Sequence, residues 1–201
     1  MKITGTAMAT PEGQARNEEV FRTAAGMLVK KGYGGTSMSD IAKAVGMTKA
    51  GLYHHISSKQ DMVFQILQHA LDGLDSFVIE PTKGLKDPEE RLREIISLNV
   101  RGIIHFGPQF TLLLPERHHL DPAQQIVISG RINSYRSFVS ETLQQMASQG
   151  KLRDLDINIA TRHIMQTIVG IARWFTEFPI DDEDHLVEQT VDYSLSAILK
   201  R

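Results

Sequence analysis

The residues with the most capacity for chemistry lie between positions 36 and 59, which read TSMSDIAKAVGMTKAGLYHHISSK. If residues 49–55 form a helix with Leu52 turned inward and Ile56 beneath it, rotation of about 100° per residue sets Ala50, Gly51 and His54 on the far side, with Lys49 and Tyr53 on its flanks. That face offers a cation, a hydroxyl and ring donors beside two small residues. Close approach to base edges and phosphates asks for this combination. Thr36, Ser37 and Thr48 stand at expected helix starts, where hydroxyls and unpaired backbone N–H groups hold phosphate oxygens. Lys59 opens the following helix and is placed to grip the same backbone. The candidate contacts are therefore Thr36, Ser37, Thr48, Lys49, Ala50, Gly51, Tyr53, His54 and Lys59, and the expected partner is double-stranded DNA.

Other chemistries fare worse. The run Gly32-Tyr33-Gly34-Gly35-Thr36 follows a helix, not a strand, and no Gly-Lys-Ser/Thr follows it, so it reads as a turn and not a phosphate loop. His54-His55 and His118-His119 invite a metal, but neighbours on a helix point about 100° apart and make poor co-ligands. With no cysteine in the chain, there is no thiolate ligand or nucleophile, and no Gly-x-Ser-x-Gly elbow occurs. The expectation is a protein that is not an enzyme, with no metal and no cofactor.

These residues need elements to position them, and the chain reads as a string of helices. Val20, Phe21, Ala24, Ala25, Leu28 and Val29 recur at helical spacing, and Lys30, Lys31 and Gly32 end that helix. Ser37 with Asp40 and Ser58 with Asp61 resemble capping boxes. Asp87-Pro88 and Asp121-Pro122 each supply an N-cap followed by Pro at the first helical position. Helices are expected at 14–31, 38–45, 49–55, 59–78, 88–106, 108–116, 122–149, 157–176 and 182–199. No stretch alternates with period two, so the fold class is all-α, with about nine helices. The division expected is a disordered lead at 1–13, a three-helix helix-turn-helix unit at 14–58, and a helical domain at 59–201.

Bulk properties agree. Of 201 residues, 41% are hydrophobic and 23% charged, enough for a substantial core. Residues 1–60 hold eight Lys/Arg against four Asp/Glu, and the remainder fourteen against twenty. The basic bias falls on the half expected to meet a polyanion. No apolar run reaches the roughly 18–20 residues of a membrane span, and the first sixteen residues lack a signal-peptide core. The expectation is a cytoplasmic protein with no membrane partner.

The segment resembles the tetracycline-repressor (TetR) family. The residues that carry the resemblance are Thr36-Ser37, Ile41-Ala42, Gly46-Met47, Leu52-Tyr53-His54-His55-Ile56 and Ser58-Lys59. Ile56 stands where Phe is commoner. The motif covers about 45 residues, from Val20 to Phe64. The resemblance implies a homodimer that binds a palindromic operator and is released when a small molecule enters the C-terminal domain. The family's DNA-contacting positions match Ser37, Thr48, Lys49, Gly51, Tyr53, His54 and Lys59.

The body is less specific. Residues 164–175 are apolar around most of a helical circumference, and 186–199 carry a wide apolar stripe, so both need cover beyond their own core. The resemblance implies pairing of helices 157–176 and 182–199 with their mates in a homodimer. Asn99, His105, Phe106, Phe110, Tyr135, His163 and Trp174 are candidates to line a mainly apolar effector cavity. Arg173-Trp174-Phe175 is similar to regulators of fatty-acid or steroid breakdown, which implies an acyl-CoA or other lipid-derived effector. Two alternatives stand beside the regulator: a helical protein-interaction adaptor and a helical enzyme without DNA binding. For the adaptor, Lys49→Ala and Tyr53→Ala are silent; for the enzyme, there is turnover and no salt-sensitive affinity for duplex DNA.

Overall fold

The computed structural model describes residues 11–107, 114–175 and 182–200, with side chains from residue 17 onward. Helix α1 (Pro11–Lys31) begins a few residues earlier than the sequence pattern suggests, with Pro11 at its first position, where a missing N–H costs nothing. It stops at Gly32, whose φ of 74° suits a residue without Cβ. Helices α2 (Met38–Ala44) and α3 (Lys49–His55) follow. Seven residues each is too short for stability alone, so they pack against α1 and α4 (Lys59–Leu74).

One apolar cluster joins Ala24, Ala25 and Leu28 of α1, Ile41 of α2, Leu52 of α3 and Met62, Val63, Ile66, Leu67 and Leu71 of α4. The helix expected to open the body thus supplies five buried residues to the head. Leu120 and Ile128 of the body reach the same cluster, so head and body share apolar cover as well as a helix. Each large side chain so enclosed contributes about 1.5–3 kcal/mol.

Beyond Leu74 the helix does not stop. It widens into a π-helical turn at Asp75–Ile79 and ends in the turn Glu80–Thr82. The body continues with α5 (Pro88–Phe106), a 3₁₀ turn at Leu114–His119, α6 (Pro122–Ser148), α7 (Ile157–Phe175) and α8 (Glu183–Ser196). Of the helix expected at 108–116, only the last three positions are described, and they belong to the 3₁₀ turn. Among the described residues there is no sheet. A single antiparallel bridge joins Leu152 to Leu199. The second core cluster fills the body with Leu92, Ile95, Ile96, Leu143, Ile171 and Ala172. Arg101 of α5 ties down the start of α8 through Glu183 (2.8 Å) and Asp184 (2.7 Å).

Candidate nucleic-acid interface and effector cavity

The α2–α3 turn is built by local rules. Ser37 caps α2: its hydroxyl accepts from Asp40 N at 3.1 Å, and Asp40 Oδ2 accepts from Ser37 N at 3.1 Å and Ser37 Oγ at 2.6 Å. The Ser37 side-chain hydrogen bond, followed by its backbone N–H, holds the Asp40 carboxyl below the usual aspartate range. At the other end, Met47 N donates to Ala42 O (2.9 Å) and Gly46 N to Lys43 O (3.3 Å). This is a Schellman closure around Gly46 at φ 66°, which satisfies the last carbonyls of α2. Thr48 then caps α3, its hydroxyl accepting from Gly51 N at 3.0 Å.

Leu52 and Ile56 are buried, which fixes the rotation of α3. Lys49, Ala50, Tyr53, His54 and His55 are exposed, and Gly51 is partly so. Lys49 Nζ lies 5.8 Å from the Tyr53 ring centroid, inside cation–π range, so the two present together. Gly51 has a second reason to lack a side chain, because a Cβ there would lie 3.1 Å from the Thr48 hydroxyl oxygen. Ser37 and Thr48 are also exposed.

Thr36 and Lys59 are placed differently from the sequence expectation. Thr36 is buried, and its hydroxyl donates to Gly32 O (3.0 Å) and Met27 O (3.3 Å) at the end of α1. The Lys59 ammonium donates to Tyr33 O (2.6 Å) and Thr36 O (2.9 Å) and lies 4.1 Å from the Tyr33 ring centroid. The Thr36 side chain closes the turn after α1, and the Lys59 side chain ties that turn to the start of α4; neither presents its polar group with those of α3.

In the body, a cavity of about 440 Å³ is bounded by α4 and its π-helical turn, α5, α6 and α7. Its wall is mainly apolar and includes Leu71, Phe77, Leu98, Phe106, Leu114, Ile132 and Ile168, with Glu18 and His69 at the head side. Phe77 and Phe106 meet edge to face at 5.2 Å. Among the polar residues on this wall, Asn99 and Tyr135 form a buried pair. Asn99 Nδ2 donates to the Tyr135 hydroxyl (2.7 Å) and to Ile95 O (2.7 Å). Since that hydroxyl accepts from Asn99, its own proton is left to donate. Burial pushes the Tyr135 phenol far above its ordinary range, so it stays protonated.

Asn99, Phe106 and Tyr135 line this cavity, whereas other candidates fall elsewhere. His105 is exposed and pairs with Glu183 (3.2 Å). His163 lines a separate pocket with Ile159 and Tyr193, between α7 and α8. Trp174 is half-buried against the body core. Phe110 lies outside the described residues. Sequence reasoning passed over Phe77, Leu98 and Ile168, whose apolar type gave no signal beyond membership of a core. It also set His118-His119 aside as co-ligands without weighing Glu116; the structure brings the three together, each placing a ligand-type atom within 4.8 Å of the others.

One arrangement connects head to cavity. Arg131 of α6 binds Asp72 (2.7 Å) and Asp75 (2.5 Å), on either side of the junction where α4 becomes π-helical. Leu71 belongs both to the head core and to the cavity wall. Helix α4 thus borders the cavity toward one end and carries the head toward the other.

Residues 20–66 match the family model described as "Bacterial regulatory proteins, tetR family", and residues 85–198 that described as "Tetracyclin repressor-like, C-terminal domain". The HTH-type transcriptional repressor KstR2 of Mycobacterium tuberculosis is 29% identical over 163 residues, which cover 80% of this chain and 82% of that protein. The crystal structure of AibR in complex with isovaleryl coenzyme A and operator DNA superposes with a TM-score of 0.79 at 28% identity, covering 89% of this chain and 97% of that one. The structure of the ketosteroid transcriptional regulator KstR2 gives a TM-score of 0.82 at 25% identity, with all of both chains covered.

Proposed function

The chain belongs to the TetR family of DNA-binding transcription regulators, and on that premise we propose that it is a homodimeric repressor released from a palindromic operator by an acyl-CoA or related lipid-derived effector. The observation that carries the reading is the outer face of α3, where Lys49, Ala50, Tyr53 and His54 are exposed beside the exposed caps Ser37 and Thr48. Small residues at 50 and 51 admit base edges, and the donors around them meet phosphates.

The dimer rests on α7 and α8. Ile159 and Tyr193 are 54% and 73% exposed, and a Cβ added at Gly170 would meet nothing within 4 Å. An exposed apolar side chain on each helix, with a glycine on α7, suits close approach by a second copy in a twofold interface. Two α3 helices about one DNA turn apart then match a two-part site.

The effector reading rests on the cavity, with an apolar body and one buried polar pair, and on the ligand in the AibR complex. The acyl part of a thioester fits the apolar wall, with its carbonyl oxygen as acceptor for the Tyr135 hydroxyl. A ligand that favours a different course of α4 shifts the dimer toward a head spacing unsuited to the operator. The test is release of a fluorescent operator duplex by isovaleryl-CoA, longer acyl-CoA thioesters and free coenzyme A. At least one thioester is expected to release DNA while coenzyme A alone does not. A chain that holds its operator against every thioester and yields only to small polar compounds overturns the effector assignment.

A further inference from the structure

The 3₁₀ turn Leu114–His119 carries a group that DNA reading and effector binding leave unused. Residues three apart eclipse on a 3₁₀ helix, so Glu116 and His119 stand one above the other, with Oε2 and Nε2 3.2 Å apart. Two ligands of one tetrahedral zinc ion, each at about 2.0–2.1 Å, are separated by roughly 3.3 Å. This pair already has that spacing. The His118 ring lies 3.9 Å from the His119 ring, tilted by 43°, and its ligand atom is within 4.8 Å of the other two. Coordination asks that ring to draw nearer the pair by at most about 1.5 Å. His118 Nδ1 sits 2.8 Å from Pro115 O. A carbonyl only accepts, so Nδ1 carries the proton and Nε2 keeps its lone pair; a backbone carbonyl orients metal-binding histidines in the same way.

From this geometry we propose that Glu116, His118 and His119 form a site for a divalent transition-metal cation of the zinc class. Two imidazoles and one carboxylate favour such an ion over calcium or magnesium, which prefer all-oxygen sets. Three protein ligands leave a coordination position for water. The site lies on the seam between body and head: the His119 ring stacks on Tyr33 with centroids 4.0 Å apart, and His119 O accepts from Gln60 Nε2 at 3.0 Å. A cation that fixes His119 also fixes its contact with the turn that Lys59 holds, so occupancy alters how the head is carried.

The test uses the full chain, stripped by a chelator and titrated with Zn2+ against a chromophoric competitor, and with Co2+ for its visible spectrum. One equivalent per chain is expected, with tetrahedral Co2+ absorption. His118→Ala and Glu116→Gln are expected to weaken that equivalent by about tenfold or more, while His54→Ala leaves it unchanged. His118 is exposed, so its variant keeps the fold, whereas His119→Ala also loses the Tyr33 stack. No equivalent binding below about 100 µM, or wild-type affinity in both His118→Ala and Glu116→Gln, overturns the site. This arm needs no DNA and is independent of the regulator reading. With an operator duplex, Zn2+ is expected to change affinity by about fivefold or more in the wild type and not in His118→Ala; an equal response in the two overturns the regulatory role.

Discussion

Replacing Lys59 by methionine keeps the length of the side chain and removes its charge. The ammonium donates to Tyr33 O and Thr36 O and lies over the Tyr33 ring, in a half-buried position. Hydrogen bonds from a charged group contribute about 1.5–3 kcal/mol each when enclosed. Halving the sum of the two for partial access to water, and adding about 0.5 kcal/mol for the cation–π contact, gives a loss of about 2–3.5 kcal/mol. For a domain of this size that lowers Tm by roughly 4–14 °C. Differential scanning calorimetry of Lys59→Met beside Lys49→Met reads it directly. Lys49 is exposed, so its variant is expected to melt within about 1 °C of the wild type while binding DNA more weakly; surface changes rarely cost more than about 0.5 kcal/mol. The reasoning is refuted if Lys59→Met melts with the wild type and instead lowers the salt slope of DNA binding by about 0.9, the signature of one lost phosphate contact.

Other expectations follow from the same geometry. Gly46→Ala places a Cβ at φ 66° in open space, so the cost is backbone strain alone, about 1–2 kcal/mol, measurable by urea unfolding. Tyr135→Phe leaves the buried Asn99 amide without that acceptor; it is expected to cost about 1–2 kcal/mol and to weaken effector release of DNA with no change in operator affinity. Ile159→Glu with Tyr193→Glu, both at exposed positions, is expected to give a folded monomer in sedimentation analysis with much weaker operator binding. Asp40 is depressed by its Ser37 hydrogen bonds, so its cap stabilises fully above the unfolded value near 4 and fades as pH falls through the lower folded value. Asp40→Asn is therefore expected to flatten the acid limb of the stability profile below about pH 4.

Helices were legible because their signals are local. Capping residues, Pro at first turns and the glycines at 32, 46 and 150 act within a few residues, and the structure ends α1, α2 and α6 at those glycines with positive φ. The outward phase of Lys49, Tyr53 and His54 follows from Leu52 and Ile56 for the same reason. Tertiary pairing was hidden. Nothing adjacent to Lys59 indicates that carbonyls more than twenty positions earlier need a donor. Nor does any neighbour show that Thr36 caps the carbonyls of α1 and does not face outward. In the body, His105 and His163 sit on helices whose phase is set by which neighbours each helix touches, and that is a property of the whole bundle. The π-helical turn at Asp75–Ile79 had no marker, and the metal reading of His118-His119 was set aside on the angle between adjacent residues, without weighing Glu116 three positions before His119.

The most direct measurement is selection from a random duplex pool at moderate salt, run in parallel on the wild type and Tyr53→Ala. The wild type is expected to enrich an inverted repeat whose half-sites are centred about 10 base pairs, or a multiple, apart, and the variant to lose that enrichment while melting as the wild type does. An unenriched pool, or the same repeat recovered equally by the variant, contradicts the assignment of the outer face of α3 to DNA.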